Sequence, residues 1–152
     1  MPASTPLVRL LDVLQPSLAM YIADCGIWSY PGPEEIRLAL AALVGDQRSV
    51  IDRGVLILEE REVAVPKTAY PISFSGWHDV DLRHVLPRIV AGLERQLPEL
   101  ELLAATPDDA AAAGLASEAL KAGHQHIEAL KTVAAKLQAG LAGRPPAAAS
   151  GL

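Results

Sequence analysis

Glu62-Val63-Ala64-Val65-Pro66-Lys67-Thr68-Ala69-Tyr70-Pro71-Ile72-Ser73-Phe74-Ser75-Gly76-Trp77-His78 separates two pairs of stretches with helical patterning, and its 17 residues are far more than a helix turn needs. At ~3.3 Å per residue the segment reaches ~55 Å. The helical stretch before it, at ~1.5 Å per residue, is ~42 Å long. The segment can therefore return along the whole length of a bundle. Pro66 and Pro71, with the series Val63, Val65, Tyr70, Ile72, Phe74 and Trp77, favour an extended strip packed on the outside.

On either side of it, four stretches carry apolar residues at three-and-four spacing, the signature of amphipathic helices. The first runs from about Pro6 to Trp28 with Leu7, Leu11, Leu14, Leu18, Tyr21, Ile22 and Cys25 on one face, kinked at Pro16. The second begins after Gly32, with Pro33 at its first position and Glu34 and Glu35 complementing the positive end of the helix dipole. Its seam is Ile36, Leu40, Leu43, Gln47, Val50, Gly54 and Leu58. The third is capped by Asp79 and carries Leu82, Leu86, Ile89, Leu93, Gln96, Leu100 and Leu103, with irregularities at Pro87 and Pro98. The fourth starts at Thr106 as cap, Pro107 in the first turn and Asp109 three residues on. Its seam is Ala112, Ala116, Ala119, Gly123, His126, Leu130, Val133 and Leu137. The expected fold is all-α: two antiparallel hairpins joined by a long crossover over residues 62–78 between helices two and three, the connectivity of a ferritin-like four-helix bundle.

Composition agrees with this and limits the function. The chain has 152 residues, 51% hydrophobic and only 4% aromatic, enough for one core of closely approaching helices. A single domain is expected over residues 1–139, followed from Gly140 by an Ala, Pro and Gly tail that buries little. Net charge is −5 and the isoelectric point about 5.3, so no nucleic acid or anionic membrane is expected as a partner. No run approaches the roughly 18 apolar residues of a membrane span. The lone Cys25 and an N-terminus without a basic segment before an apolar core point to a cytoplasmic location. Dispersed glycines leave no phosphate loop, and Cys25 on an apolar seam reads as an inert thiol.

Gly45-Asp46-Gln47-Arg48, Tyr70-Pro71-Ile72-Ser73-Phe74 and Trp77-His78-Asp79 leading into Leu82 to Leu86-Pro87 resemble, in order and spacing, a group of small bacterial ferritin-like proteins without an assigned activity. The resemblance covers about residues 6–139. It implies a bundle whose metal-dependent members hold two iron or manganese ions with a Glu from each of two helices and a Glu-x-x-His pair from each of the other two. This chain departs from that pattern. The three-residue spacings that should hold Glu and His hold Gln47 with Val50 and Gly123 with His126. Tyr21, Cys25 and Gln96 stand where single Glu ligands would be sought. Amides bring no charge to offset a dication. His126 is the one orthodox ligand left, with Asp46 and Asp24 at the seam edges as the other metal candidates.

Tyr21, Gln47, Gln96 and His126 are thus polar groups on seams, each needing a hydrogen-bond partner. A buried polar network is preferred for them over a ligand pocket. Counting rises puts Tyr21 and His126 at similar height and Gln47 ~10 Å lower, as two small clusters. His84, His124 and Glu128 fall on solvent faces. Gly45 and Gly54 allow close helix approach. On the back of the second helix, Leu38, Ala42, Gly45, Ser49 and Leu56 form a second stripe, where a homodimer is expected. The functional expectation is a non-catalytic module with a degenerate metal site and no cofactor, acting in dimerisation and in partner or small-ligand binding. The alternative is an iron- or manganese-dependent oxidoreductase or iron-handling protein with an altered centre around His126.

Overall fold

The computed structural model describes residues 5–67, 69–77 and 80–142. The chain is all-helical there: α1 Thr5–Leu14, α2 Leu18–Cys25, α3 Glu34–Glu60, α4 Leu82–Ala104 and α5 Ala110–Ala142, with 3-10 turns at Ile27–Ser29 and Ile72–Trp77. Among the described residues there is no strand, and no helix is long and apolar enough to cross a membrane.

The single kinked helix expected over Pro6–Trp28 is two helices. Pro16 has no N–H for the carbonyl four residues back, and the chain leaves the helix there. Ser17 is extended (φ −77°, ψ 154°) and its hydroxyl accepts from the Met20 N–H at 3.2 Å, so a fresh N-cap starts α2. Gly26, at φ +96°, ends it and donates its N–H to the Ala23 carbonyl. The apolar spacing survives the break: Leu7, Leu11, Leu14, Leu18 and Ile22 are all buried.

Two contacts set the directions of the long helices. At one end the Leu82 N–H donates to the Pro31 carbonyl at 2.8 Å, so α4 starts beside the turn that precedes α3. Gly32 makes this possible: its φ is +141°, and a Cβ there would stand 2.9 Å from the Leu82 Cβ. At the other end Arg61, just after α3, grips Asp109, just before α5, through two bonds of 2.9 and 3.2 Å. Helices α3 and α4 are therefore parallel, and the connection between them runs the length of both. Helix α5 packs along α3 and α4, and α1 and α2 lie against α3 and α4. The α3 seam is buried as expected at Ile36, Leu40, Leu43, Gln47, Val50, Gly54 and Leu58. Gly54 brings α3 onto α1, since a Cβ there would meet Leu11 Cδ2 at 3.1 Å.

The crossover is not wholly extended. Val63, Val65, Tyr70, Phe74 and Trp77 pack partly buried against the core, but Ile72–Trp77 winds into 3-10 turns closed by the Phe74 N–H on the Pro71 carbonyl and the Ser75 hydroxyl on the Ile72 carbonyl. Side chains three apart eclipse in such a turn, so Phe74 and Trp77 share the inner side. Ile72 turns out, 92% exposed.

Two helix starts differ from expectation. The cap expected at Asp79 and its neighbour His78 lie outside the described residues. Asp81 caps α4 by accepting from the Arg83 N–H at 2.8 Å. Pro87 and Pro98 sit on the exposed side of α4 without ending it. The fourth seam starts not at Thr106 and Pro107 but at Ala110. Thr106 closes α4, its hydroxyl donating to the Leu102 carbonyl, and the buried Asp109 is the cap, accepting from the Ala112 N–H at 3.1 Å. The ion pair with Arg61 holds that carboxylate at the helix start and so overrides the earlier Thr-Pro signal. The tail expected from Gly140 begins inside α5, which continues to Ala142; residues 143–152 lie outside the described ones.

Candidate functional site

Gln47 on α3 and Gln96 on α4 meet in the interior. The Gln47 Nε2 donates to the Gln96 Oε1 at 3.3 Å. The Gln96 Nε2 donates to the Val13 carbonyl at 3.1 Å, an acceptor that the chain break at Pro16 leaves without its helical donor. The Ser17 hydroxyl donates to the Gln47 Oε1 at 3.4 Å. The two amides thus tie α3 and α4 to the broken N-terminal helix, and the polar groups foreseen at these seams find partners.

Tyr21 and His126 do not join this ladder. His126 shares a gap of about 10 Å³ with Gln47, Gln96, Asp46 and Gly123, so His126 and Gln47 are neighbours rather than ~10 Å apart in height. Counted from the Arg61–Asp109 pair that joins the ends of α3 and α5, Gln47 lies 14 positions back and His126 17 positions on, which puts them within ~5 Å of the same height. Tyr21 lies instead under the crossover, its ring 5.3 Å from Tyr70 and 5.7 Å from Phe74 between centroids. The Tyr70 hydroxyl donates to Asp24, which also pairs with Arg48 at 3.2 Å. Burial, then the bond to Asp24, pushes the Tyr70 phenol above its ordinary range. Tyr21 is raised too, by desolvation first and then by Cys25, which is half-buried at the end of α2.

The metal candidates separate accordingly. His126 Nε2 lies 2.5 Å from an Asp46 carboxylate oxygen, its side chain 12% exposed against 58% for Asp46. Asp24 is committed elsewhere, to Tyr70 and Arg48. Among the described residues no three His, Cys, Asp or Glu side chains converge. This donor set does not fit a pair of dications, which need several anionic oxygens. His84, His124 and Glu128 are exposed, as their helical phase requires.

A cleft of about 510 Å³ opens at the break between α1 and α2. Val13, Pro16, Ser17, Leu18 and Ala19 form one wall, and Ser73, Phe74 and Trp77 of the crossover another. Its floor is α4, through Arg88, Ile89, Gly92, Leu93, Arg95, Gln96 and Glu99. The Arg88 guanidinium sits 5.5 Å from the centroid of the Trp77 ring. The volume is that of small-molecule sites, and the lining mixes aromatic and aliphatic surface with a few polar groups. Sequence reasoning on seams missed this site, because its walls come from three segments. The signal available was the series Arg88, Gly92, Arg95 and Glu99 on α4, a charged stripe recessed at a glycine. A second recess of about 340 Å³ lies at Gln15, Met20, Asp24, Arg48 and Tyr70. Compared with protein-family models, with curated proteins and with solved structures, the chain matches none of them.

Proposed function

We propose that the chain is a non-catalytic, ferritin-like bundle module with a degenerate metal site, which pairs with a second copy and holds a small ligand in the cleft beneath the crossover. Parallel α3 and α4 joined by a connection running their whole length support the ferritin-like reading. The observation that carries the functional reading is the Gln47–Gln96 bond: a neutral amide pair holds the interior seam, and its second anchor, Val13, also lines the 510 Å³ cleft. The interior is thereby spent on fixing the wall of a recess. The outer face of α3 supports self-association. Leu38 and Leu56 are 55% and 58% exposed, and the exposed Ala42, Gly45 and Ser49 between them leave room for a second backbone.

A second reading, an altered iron or manganese centre with oxidoreductase or iron-handling activity, is favoured by the close His126–Asp46 pair alone. Elemental analysis of protein purified without chelator, repeated on His126→Ala, separates the two. The binding module is expected to carry iron and manganese far below one equivalent in both proteins. Stoichiometric metal that disappears in the variant overturns it in favour of the metal centre.

A further inference from the structure

Resting on the reading of the cleft as a ligand site, we infer that its ligand is an amphipathic carboxylate: an apolar tail against Trp77 and Leu93 and an anionic head held by Arg88 and Arg95. The chain is acidic overall, at −5. Its arginines elsewhere among the described residues are all ion-paired: Arg9 with Glu99, Arg37 with Glu34, Arg48 with Asp24, Arg53 with Glu118, Arg61 with Asp109 and Arg83 with Asp81. Arg88 and Arg95 are the two without an acidic partner among the described residues, and both line this one cleft. They stand seven positions apart on α4, two turns or ~10.5 Å along the axis. Gly92 lies between them, where the absence of a side chain deepens the floor. Glu99, the one carboxylate on the rim, is engaged by Arg9 at 3.7 Å, which reduces its repulsion of an incoming anion. Guanidinium forks match a carboxylate, and the rest of the lining is largely apolar.

Trp77 reports occupancy directly, with Trp28 replaced by Phe to remove the other indole. Titrating this protein with decanoate and, separately, with decanol compares the same tail with and without the charge. The expected result is a change in Trp77 emission with decanoate at a Kd at least about tenfold below that of decanol. That preference is expected to disappear in Arg88→Gln/Arg95→Gln, while decanol still binds. Arg95→Gln alone, which leaves the Arg88–Trp77 stack in place, is expected to show a partial loss. Equal affinities for decanoate and decanol, in wild type and variants alike, would overturn the anionic head and leave the cleft as an apolar site. Failure of both probes to bind would overturn the cleft reading itself. Displacement of decanoate by inorganic phosphate at equal concentration would overturn the role given to the tail.

Discussion

Asp109, only 5% exposed, serves two groups at once: it caps α5 and it pairs with Arg61. Arg61 first, and the Ala112 N–H after it, hold its carboxyl below the ordinary value of 3.8. A depressed folded-state value means that the pair stabilises fully above pH 3.8 and that this contribution disappears as pH falls through the folded-state value. Asp109→Asn keeps a capping oxygen and removes the charge, with an expected cost of about 1–3 kcal/mol at pH 7. Urea melts at a series of pH values are expected to show the gap between wild type and variant closing below pH 3.8. A gap that stays constant into acid would remove the ion pair from the account. The amide ladder makes a separate prediction. Gln47→Leu orphans the Gln96 Oε1 and is expected to cost ~1–3 kcal/mol. In the double variant with Gln96→Leu, the two costs should fall short of additivity by ~0.5–3 kcal/mol, and strict additivity in a double-mutant cycle would mean the bond is not formed.

At the level of elements, the ends of α3 carry its weak points. Glu62 sits at φ +57° just past the C-cap, while the Val63 N–H reaches back to the Leu58 carbonyl, a closure that glycine makes without strain. Glu62→Gly is expected to raise stability by about 0.5–1 kcal/mol despite the entropy of glycine in the unfolded chain. Gly32→Ala should do the reverse. It combines a forbidden φ with a Cβ 3.1 Å from the Leu82 backbone nitrogen, and a loss of about 1–3 kcal/mol in thermal or denaturant melts is expected. These positions also mark where the sequence could be read and where it could not. The α3 seam is legible because its spacing depends only on helix geometry, and all seven of its positions are buried. Pro-Gly-Pro is legible as a break, but not the need for glycine at 32, since that need comes from Leu82 fifty residues away. Pro16 reads as a kink until Ser17 is seen to cap a fresh helix. Of the cleft only the charged stripe on α4 is legible, since its walls come from three segments that meet only once the crossover has folded back.

For the whole molecule, the exposed stripe on α3 predicts a dimer in size-exclusion chromatography with light scattering, twice the 16.1 kDa of one chain. Leu38→Glu with Leu56→Glu is expected to yield the monomer with its helical content intact. A wild type that runs as monomer at micromolar concentration would refute the pairing. Helices α1 to α3 are complete in the chain before α4 and α5, yet Leu7, Leu10, Leu11 and Leu14 are fully covered only in a fold that includes the later pair, since α1 packs on α4 and α5 as well as α3. Roughly 80 residues follow α3 before α5 ends, on the order of 4–16 s of translation at ~5–20 residues per second. During that interval α3 is the one long helix available to cover the leucines of α1, so their full burial waits on the second half of the chain.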